Sequence, residues 1–308
     1  MTRKRIALYL GIIGALFLLV LAWYLWAFRL SERNSSTTFD GTRAFAAVET
    51  QVAFGPRTPG SVAHARTVDW IRQQLESTGW QVEIQQAQAM GHSIQNIRAH
   101  RNDAAPAFIL GAHYDSRIYA NHDPDPNKWG QPVPGADDGA SGVAVLLELA
   151  RTLPSDSVPL WIVFFDAEDN GDIPGWDWLL GSKAFVANMK VRPKAMILVD
   201  MVGDQNLSIP MESNSDPALR TSIWNTAAKL GHGDVFIPQA KYSIEDDHLP
   251  FIQAGIPSVD IIDLDYAYWH TTADLPEHVS AASLKTVGEV LSTWIRAQDP
   301  LASTPSSP

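Results

Sequence analysis

The sequence predicts an α/β protein with a mostly parallel central sheet and helices on both faces, preceded by one N-terminal transmembrane helix. Three observations carry the sheet. Short apolar runs alternate with segments of helical spacing, the runs are apolar at successive positions rather than at every second one, and polar residues collect just beyond their carboxyl ends. In chain order, Val68 to Leu75 has helical spacing, Gln81 to Gln86 and Ala107 to Ala112 read as strands, and Gly142 to Leu153 reads as a helix. Val158 to Phe165 is a buried-strand run, Leu179 to Met189 is helical, Ala195 to Val199 is a strand, Asp216 to Leu230 is helical, and Pro257 to Ile262 is a strand. Ser280 to Ala297 closes the series as a helix that Ser280 is placed to cap.

With 308 residues, of which 45% are hydrophobic and 19% charged, the chain has the composition of a globular protein able to bury a sizeable core. No internal repeat changes that expectation. A formal net charge of -11 leaves no basic face to follow a phosphate backbone, which argues against nucleic acid as a partner. The absence of cysteine removes disulfides, thiolate nucleophiles and thiolate metal ligands together. Any bound metal must be held by His, Asp and Glu.

At the amino terminus, Arg3, Lys4 and Arg5 precede an uncharged run from Ile6 to Phe28. As a helix that run is roughly 35 Å long, enough to cross a hydrocarbon core of about 30 Å. A cleaved signal peptide is the alternative, but the run is long and ends in Trp23, Tyr24 and Trp26 rather than in small residues. The basic residues would stay cytoplasmic, placing the rest of the chain on the periplasmic, extracellular or lumenal side. Ser31 to Asp40 reads as a polar tether. The expected organisation is an anchor at 1–34, a catalytic domain at 35–300 and a Ser/Pro tail at 301–308.

Ligand sites in parallel sheets lie beyond the carboxyl ends of the strands, and several strand ends here carry acids or imidazole. His113 and Asp115 follow one strand, Asp166, Glu168 and Asp169 the next, then Asp200, then Asp263 and Asp265. Without thiolates, zinc is bound by imidazole and carboxylate, and Asp138, Asp169 and His270 can supply such a set. Each has a plainer alternative. Asp138, in Gly135-Ala-Asp-Asp-Gly, can cap the next helix, Glu168 and Asp169 can form an exposed acidic turn, and His270 beside Trp269 can be packing. Asp246, Asp247 and His248 can cap the apolar segment that they open. If Glu168 and Asp169 are instead buried, one can bind metal while its neighbour moves a proton.

At these motifs the chain resembles the zinc-aminopeptidase and animal-type glutaminyl-cyclase superfamily, and looks closest to glutaminyl-peptide cyclotransferases. From about Phe54 to Trp294 the matching pieces come in order. They are Arg57-Thr-Pro-Gly-Ser, His113-Tyr-Asp-Ser-Arg, Gly135-Ala-Asp-Asp, Phe164-Phe-Asp-Ala-Glu-Asp, Leu180-Gly-Ser, Leu198-Val-Asp-Met-Val-Gly, Glu245-Asp-Asp-His-Leu-Pro-Phe and Trp269-His-Thr. The resemblance implies that Asp138, Asp169 and His270 hold zinc and that Glu168 transfers the proton. It implies that His113 and Asp200 hold a second zinc in the aminopeptidases but stand beside a single zinc in the cyclases. Asp246 matches a cyclase carboxylate that hydrogen-bonds with the Asp200 position, and Trp269 matches a wall of the substrate pocket.

The implied activity is conversion of an N-terminal glutamine of a peptide to pyroglutamate with release of ammonia. The alternative is a di-zinc aminopeptidase acting on peptides with a free N-terminus, and superfamily relatives also include receptor-like ectodomains without catalysis. This sequence departs from the family in three ways. Asp169 stands where many relatives have glutamate, Asp260 stands where animal cyclases have a histidine, and the cysteine pair of some animal enzymes is missing. The loops Tyr119 to Pro134 and Asp172 to Trp178, the latter with Trp176 and Trp178, are expected at the pocket rim.

Overall fold

The computed structural model describes Val20, Leu21, Trp23 and residues 38–298. The chain divides into two compact units, residues 1–38 and 39–308. In the first, Val20, Leu21 and Trp23 are helical and exposed. The rest of the predicted membrane span, and the 301–308 tail, lie outside the described residues. Among the described residues, no helix is long and apolar enough to cross a membrane.

The second unit opens with α1 (Gly41–Ala53) and α2 (Val62–Ser77), followed by the hairpin of β1 (Gln81–Ala89) and β2 (His92–His100). Then come β3 (Phe108–His113), α3 (Ala140–Thr152), β4 (Leu160–Phe165), α4 (Leu180–Asn188) and β5 (Ala195–Asp200). The last part contains β6 (Ile209–Glu212), α5 (Pro217–Lys229), β7 (Phe236–Tyr242), α6 (Leu249–Gln253), β8 (Ser258–Ile262) and α7 (Ala281–Ala297).

The central sheet runs β1-β2-β4-β3-β5-β8, while β6 and β7 form a separate two-stranded sheet. Strands β4, β3, β5 and β8 are parallel, but β1 pairs antiparallel with β2, and β2 antiparallel with β4. The sheet is therefore mixed: its larger part is parallel as expected, and the antiparallel hairpin of β1 and β2 extends one edge. β1 matches the expected strand at Gln81 to Gln86, but β2 escaped sequence reading because His92, Ser93, Gln95, Asn96 and Arg98 interrupt any continuous apolar run. The hairpin turn, Met90-Gly91, takes positive φ at both residues, as two-residue hairpin turns require. α1 was likewise missed, since it begins where a tether was expected to end. Asp40 caps it by accepting from the Thr42 and Arg43 amides, and its own amide donates to Glu148 on α3.

Alternation along the parallel strands sorts their side chains between two cores. Leu110, Ala112, Ile162, Phe164, Ile197, Val199, Val259 and Ile261 pack with α1, α2, α3, α5 and α7. Ile109, Val163, Phe165, Met196 and Leu198 face the other way, against Phe185 of α4 and Phe251 of α6. Helices therefore cover both faces, as the apolar runs predict. Because the four parallel strands end on the same side, their following loops share one edge.

The approach of α3 to that edge depends on Gly142. A Cβ there would sit inside contact distance of the Val199 carbonyl oxygen and 3.1 Å from the Ala112 Cβ. Gly142→Ala is expected to lower unfolding free energy by about 1–3 kcal/mol through overpacking, read from urea denaturation. An unchanged midpoint would mean that α3 shifts without loss.

Candidate metal centre

At the end of β3 the chain presents His113, and two residues later the buried Asp115 ties this loop to the next one. Asp115 lies 3.4 Å from His113 Nδ1 and accepts from the backbone amides of Glu168 (3.1 Å) and Asp169 (3.4 Å) and from the Asn170 side chain (3.3 Å). Arg117 holds the same loop by donating to the carbonyls of Asp169 (2.9 Å) and Gly171 (3.0 Å), while standing 3.5 Å from Asp169 Oδ1. Glu168 and Asp169 are consequently buried, 7% and 2% exposed, and the acidic-turn alternative is excluded.

Asp138 is presented by a loop gripped from both sides. The buried Arg57 guanidinium donates to the carbonyls of Tyr114 (2.9 Å), Pro134 (2.9 Å) and Gly135 (2.6 Å), and burial lowers its pKa to about 10. Asp274 accepts from the amides of Asp137 (2.8 Å) and Asp138 (3.2 Å) and from the Tyr266 hydroxyl (2.8 Å). Gly139, not Asp138, occupies the N-cap of α3, and no side chain caps that helix. The absence of a side chain at Gly139 has a use, because a Cβ would come within 2.5 Å of His113 Nε2.

His270 takes positive φ and is braced by the loop predicted to form the rim. Asp123 accepts from the Thr272 amide (3.0 Å) and hydroxyl (2.5 Å), and the His122 amide donates to the His270 carbonyl (3.2 Å).

These loops bring the predicted residues together. His270 Nε2 lies 2.8 Å from Asp169 Oδ1 and 3.8 Å from Asp138 Oδ2, all three residues being buried with donor atoms within 4.8 Å of one another. His113, Asp138 and Asp200 form a second such group, with His113 Nε2 3.1 Å from Asp138 Oδ1 and 3.0 Å from Asp200 Oδ1. Asp138 thus gives one oxygen to each group. Asp138 Oδ2 and Asp169 Oδ2 are buried and accept no hydrogen bond, a costly arrangement that a divalent cation would relieve. Two carboxylates and one imidazole suit such an ion chemically, so the residues fit a metal.

The groups open into a cavity of about 270 Å³. Its buried acidic wall is Asp138, Glu168, Asp169, Asp200 and Asp246, with exposed Glu245 at its edge, and its apolar wall includes Trp178, Trp269, Met201, Ile244, Ile262 and Leu264. Burial pushes Glu168 well above the usual carboxylate range, helped by the charges of Asp246 and Asp169. Burial and the neighbouring Asp200 push Asp246 up to about 7. Asp138 moves the other way, because its hydrogen bond to His113 and the nearby positive charges outweigh burial. A larger groove of about 340 Å³ among α1, α2 and α3 offers one carboxylate, Glu148, which Arg151 already pairs.

Other flagged residues stay outside. Asp166 accepts from His64 (2.7 Å) and the Gln95 amide (2.8 Å), Asp263 from the Ser208 amide (2.7 Å), and Asp265 pairs with exposed Lys241 (2.6 Å). Trp178 lines the cavity, whereas Trp176 stacks on His92 at 3.6 Å. Sequence reading assigned no part to Arg57, Arg117, Asp274 or Glu212. The first two stood inside quoted motifs and Asp274 follows His270 closely, but Glu212 carried no signal.

Fold and donor set together define a protein of the zinc-exopeptidase-like class. The chain belongs to peptidase family M28, whose profile matches residues 96–295. Among solved structures it is similar to the glutaminyl cyclase of Tannerella forsythia, 37% identical with a TM-score of 0.81 over 85% of this chain and 100% of that one. It is similar to a Zn-dependent exopeptidase from Parabacteroides distasonis, 36% identical with a TM-score of 0.81 over the same shares. It is also 25% identical over 292 residues to the glutaminyl-peptide cyclotransferase of Boiga irregularis, covering 78% of this chain and 76% of that protein.

If the orphaned oxygens are relieved by an ion, removing it must destabilise the fold. Zinc held at a free concentration 1,000-fold above its dissociation constant would contribute about 4 kcal/mol, so dialysis against a chelator should lower the melting temperature and added zinc restore it. Gly139→Ala, which displaces His113, should weaken metal affinity about 10- to 100-fold in competitive titration. Equal melting curves with and without chelator would contradict the assignment.

Proposed function

We propose that this chain is a zinc-dependent glutaminyl-peptide cyclotransferase, which converts an N-terminal glutamine of a peptide to pyroglutamate and releases ammonia. The observation that carries the reading is the composition of one cavity. A three-donor metal group, a carboxylate outside it and a close pair of further carboxyls face an aromatic wall. The names of the similar proteins support the same reading.

Asp138, Asp169 and His270 would hold the zinc, which supplies Lewis-acid polarisation of the side-chain amide carbonyl. Glu168, whose amide is fixed by Asp115, is the proton carrier. It takes a proton from the substrate α-amine as the amine nitrogen bonds to the amide carbon, and it returns that proton to the departing amide nitrogen. The C–N bond of the amide breaks, ammonia leaves and no water is consumed. A carboxyl with its pKa raised by burial suits both halves of that exchange. Asp200 and Asp246 cannot comfortably both be charged, so the pair offers both a donor and an acceptor to the amide NH2. Trp269 and Trp178 wall the cavity and exclude water that would divert the reaction to hydrolysis.

The second reading, a di-zinc aminopeptidase, is favoured by one observation, the His113, Asp138 and Asp200 group with Asp138 shared. There Glu168 would carry the proton of an attacking water instead. In both readings the substrate is a peptide with a free N-terminus. The uncharged Ile6 to Phe28 run behind Arg3, Lys4 and Arg5 supports a membrane anchor with the site on the non-cytoplasmic side.

The test is metal content per chain alongside ammonia release from Gln-peptides and hydrolysis of aminoacyl anilides. One zinc with ammonia release and intact anilide is expected; two zincs with anilide cleavage would replace the cyclase by the aminopeptidase. Glu168→Gln should keep its metal and lose about 100- to 10,000-fold in turnover.

A further inference from the structure

Behind the acidic wall lies a group of ionisable side chains that neither line the cavity nor belong to the two metal-donor groups described above. His248, at the N-terminus of α6, is wholly buried, with Nε2 3.3 Å from Glu212 Oε2 and Nδ1 3.8 Å from Asp260 Oδ2. Neither ring nitrogen makes a hydrogen bond, so both carboxylates are charge contacts of the imidazole. Glu212, at the end of β6, is fixed in turn. It accepts from the amides of Asn214 (2.8 Å), Ser215 (2.7 Å) and Ile244 (3.1 Å) and from the Ser215 hydroxyl (2.8 Å). These donors, with His248, hold its carboxylate at a pKa of about 2 against the pull of burial.

The contacts close a ring. Ser215, which donates to Glu212, accepts from the Asp260 backbone amide (3.0 Å), and the Asp260 side chain returns to His248. Asp260 projects from the middle of β8, opposite Leu198 of β5, toward the face that carries α6. The ring therefore joins β6, β8 and the start of α6. That start also holds Asp246, which accepts the Asp247 amide through Oδ1 (2.5 Å) and the Leu249 amide through its carbonyl (2.8 Å). Donor atoms of Asp246, His248 and Asp260 lie within 4.8 Å of one another.

We propose that Glu212, His248 and Asp260 are positioning residues, a buried ring that fixes Asp246 at the cavity wall beside Asp200. This rests on the cyclase reading and deepens it. Asp246 has a single side-chain hydrogen bond, to its neighbour's amide, and its Oδ2 has none. Its own contacts therefore leave its carboxyl free to swing, while the ring immobilises the short segment on which it stands. Glu212 and Asp260 flank His248 on opposite sides, and the Asp260 carboxyl confronts Asp246.

The experiment compares Asp260→Asn, which keeps shape and one acceptor, with Asp260→Leu, which keeps only volume, and with His248→Gln. Metal per chain, melting temperature, kcat and KM are measured for ammonia release and for anilide hydrolysis on the same preparations. Asp260→Leu and His248→Gln should lower kcat about 10- to 100-fold with KM within about twofold and metal unchanged, and Asp260→Asn should recover part of the loss. A merely structural role would lower the folded fraction, not the turnover of folded, metal-loaded enzyme. Full turnover in folded Asp260→Leu would overturn the proposal. Loss of one metal equivalent in that variant would overturn it too, by making the ring a metal site. Wild-type enzyme that hydrolyses anilides without releasing ammonia would overturn the cyclase reading alone, and the same kcat comparison would then be read on hydrolysis.

Discussion

The structure depends on gathering five carboxyls, those of Asp138, Glu168, Asp169, Asp200 and Asp246, into one largely buried wall. Buried charges of like sign repel, and each loses hydration that only hydrogen bonds or counter-charges replace. The fold supplies cations indirectly. Arg57 and Arg117 are almost fully buried, yet their hydrogen bonds go mainly to backbone carbonyls of the loops that carry Asp138 and Asp169. They lend positive charge and rigidity to the loops, and of the wall's carboxylate oxygens Arg117 approaches only Asp169 Oδ1, at 3.5 Å. Asp115 and Asp274 do the converse, accepting backbone amides so that these loops cannot recoil.

This division of labour explains where strain appears. Ala167, Met201 and His270 all have positive φ, and they adjoin Glu168, Asp200 and the metal group. Such conformations persist only where the surroundings over-determine them. Here the bracing comes from Arg117 with Asp115, from the parallel pairing of β5 with β8, and from Asp123 with His122. The rim loop is therefore structural as well as boundary, since it fixes the histidine that completes the donor set.

One scaffold of this kind serves two nucleophiles. A carboxyl that accepts and returns a proton works equally on an amine or on water. The choice lies in what the second acidic group holds and in how dry the cavity stays. The His113, Asp138 and Asp200 group leaves room for a second ion and water, whereas the aromatic wall of Trp178 and Trp269 suits an internal amine. The buried ring behind Asp246 belongs to the same logic, since a group that orients an amide must not rotate.

The amino-acid sequence by itself determined the parallel strands, the helices that cover them and the edge at which acids and imidazoles collect. Those features repeat over a few residues and follow from backbone geometry, so Leu160 to Phe165 or Ala281 to Ala297 can be recognised without their neighbours. It also supplied Asp138, Asp169, His270, His113 and Asp200 as candidates, through their places after strands and within motifs. Only the tertiary structure decided that Asp138 serves two groups, that Asp263 and Trp176 turn away, and that β1 and β2 run antiparallel. It alone brought Glu212 and Asp260 to opposite sides of His248. Such contacts join segments far apart in the chain, and no local periodicity encodes the distance between them.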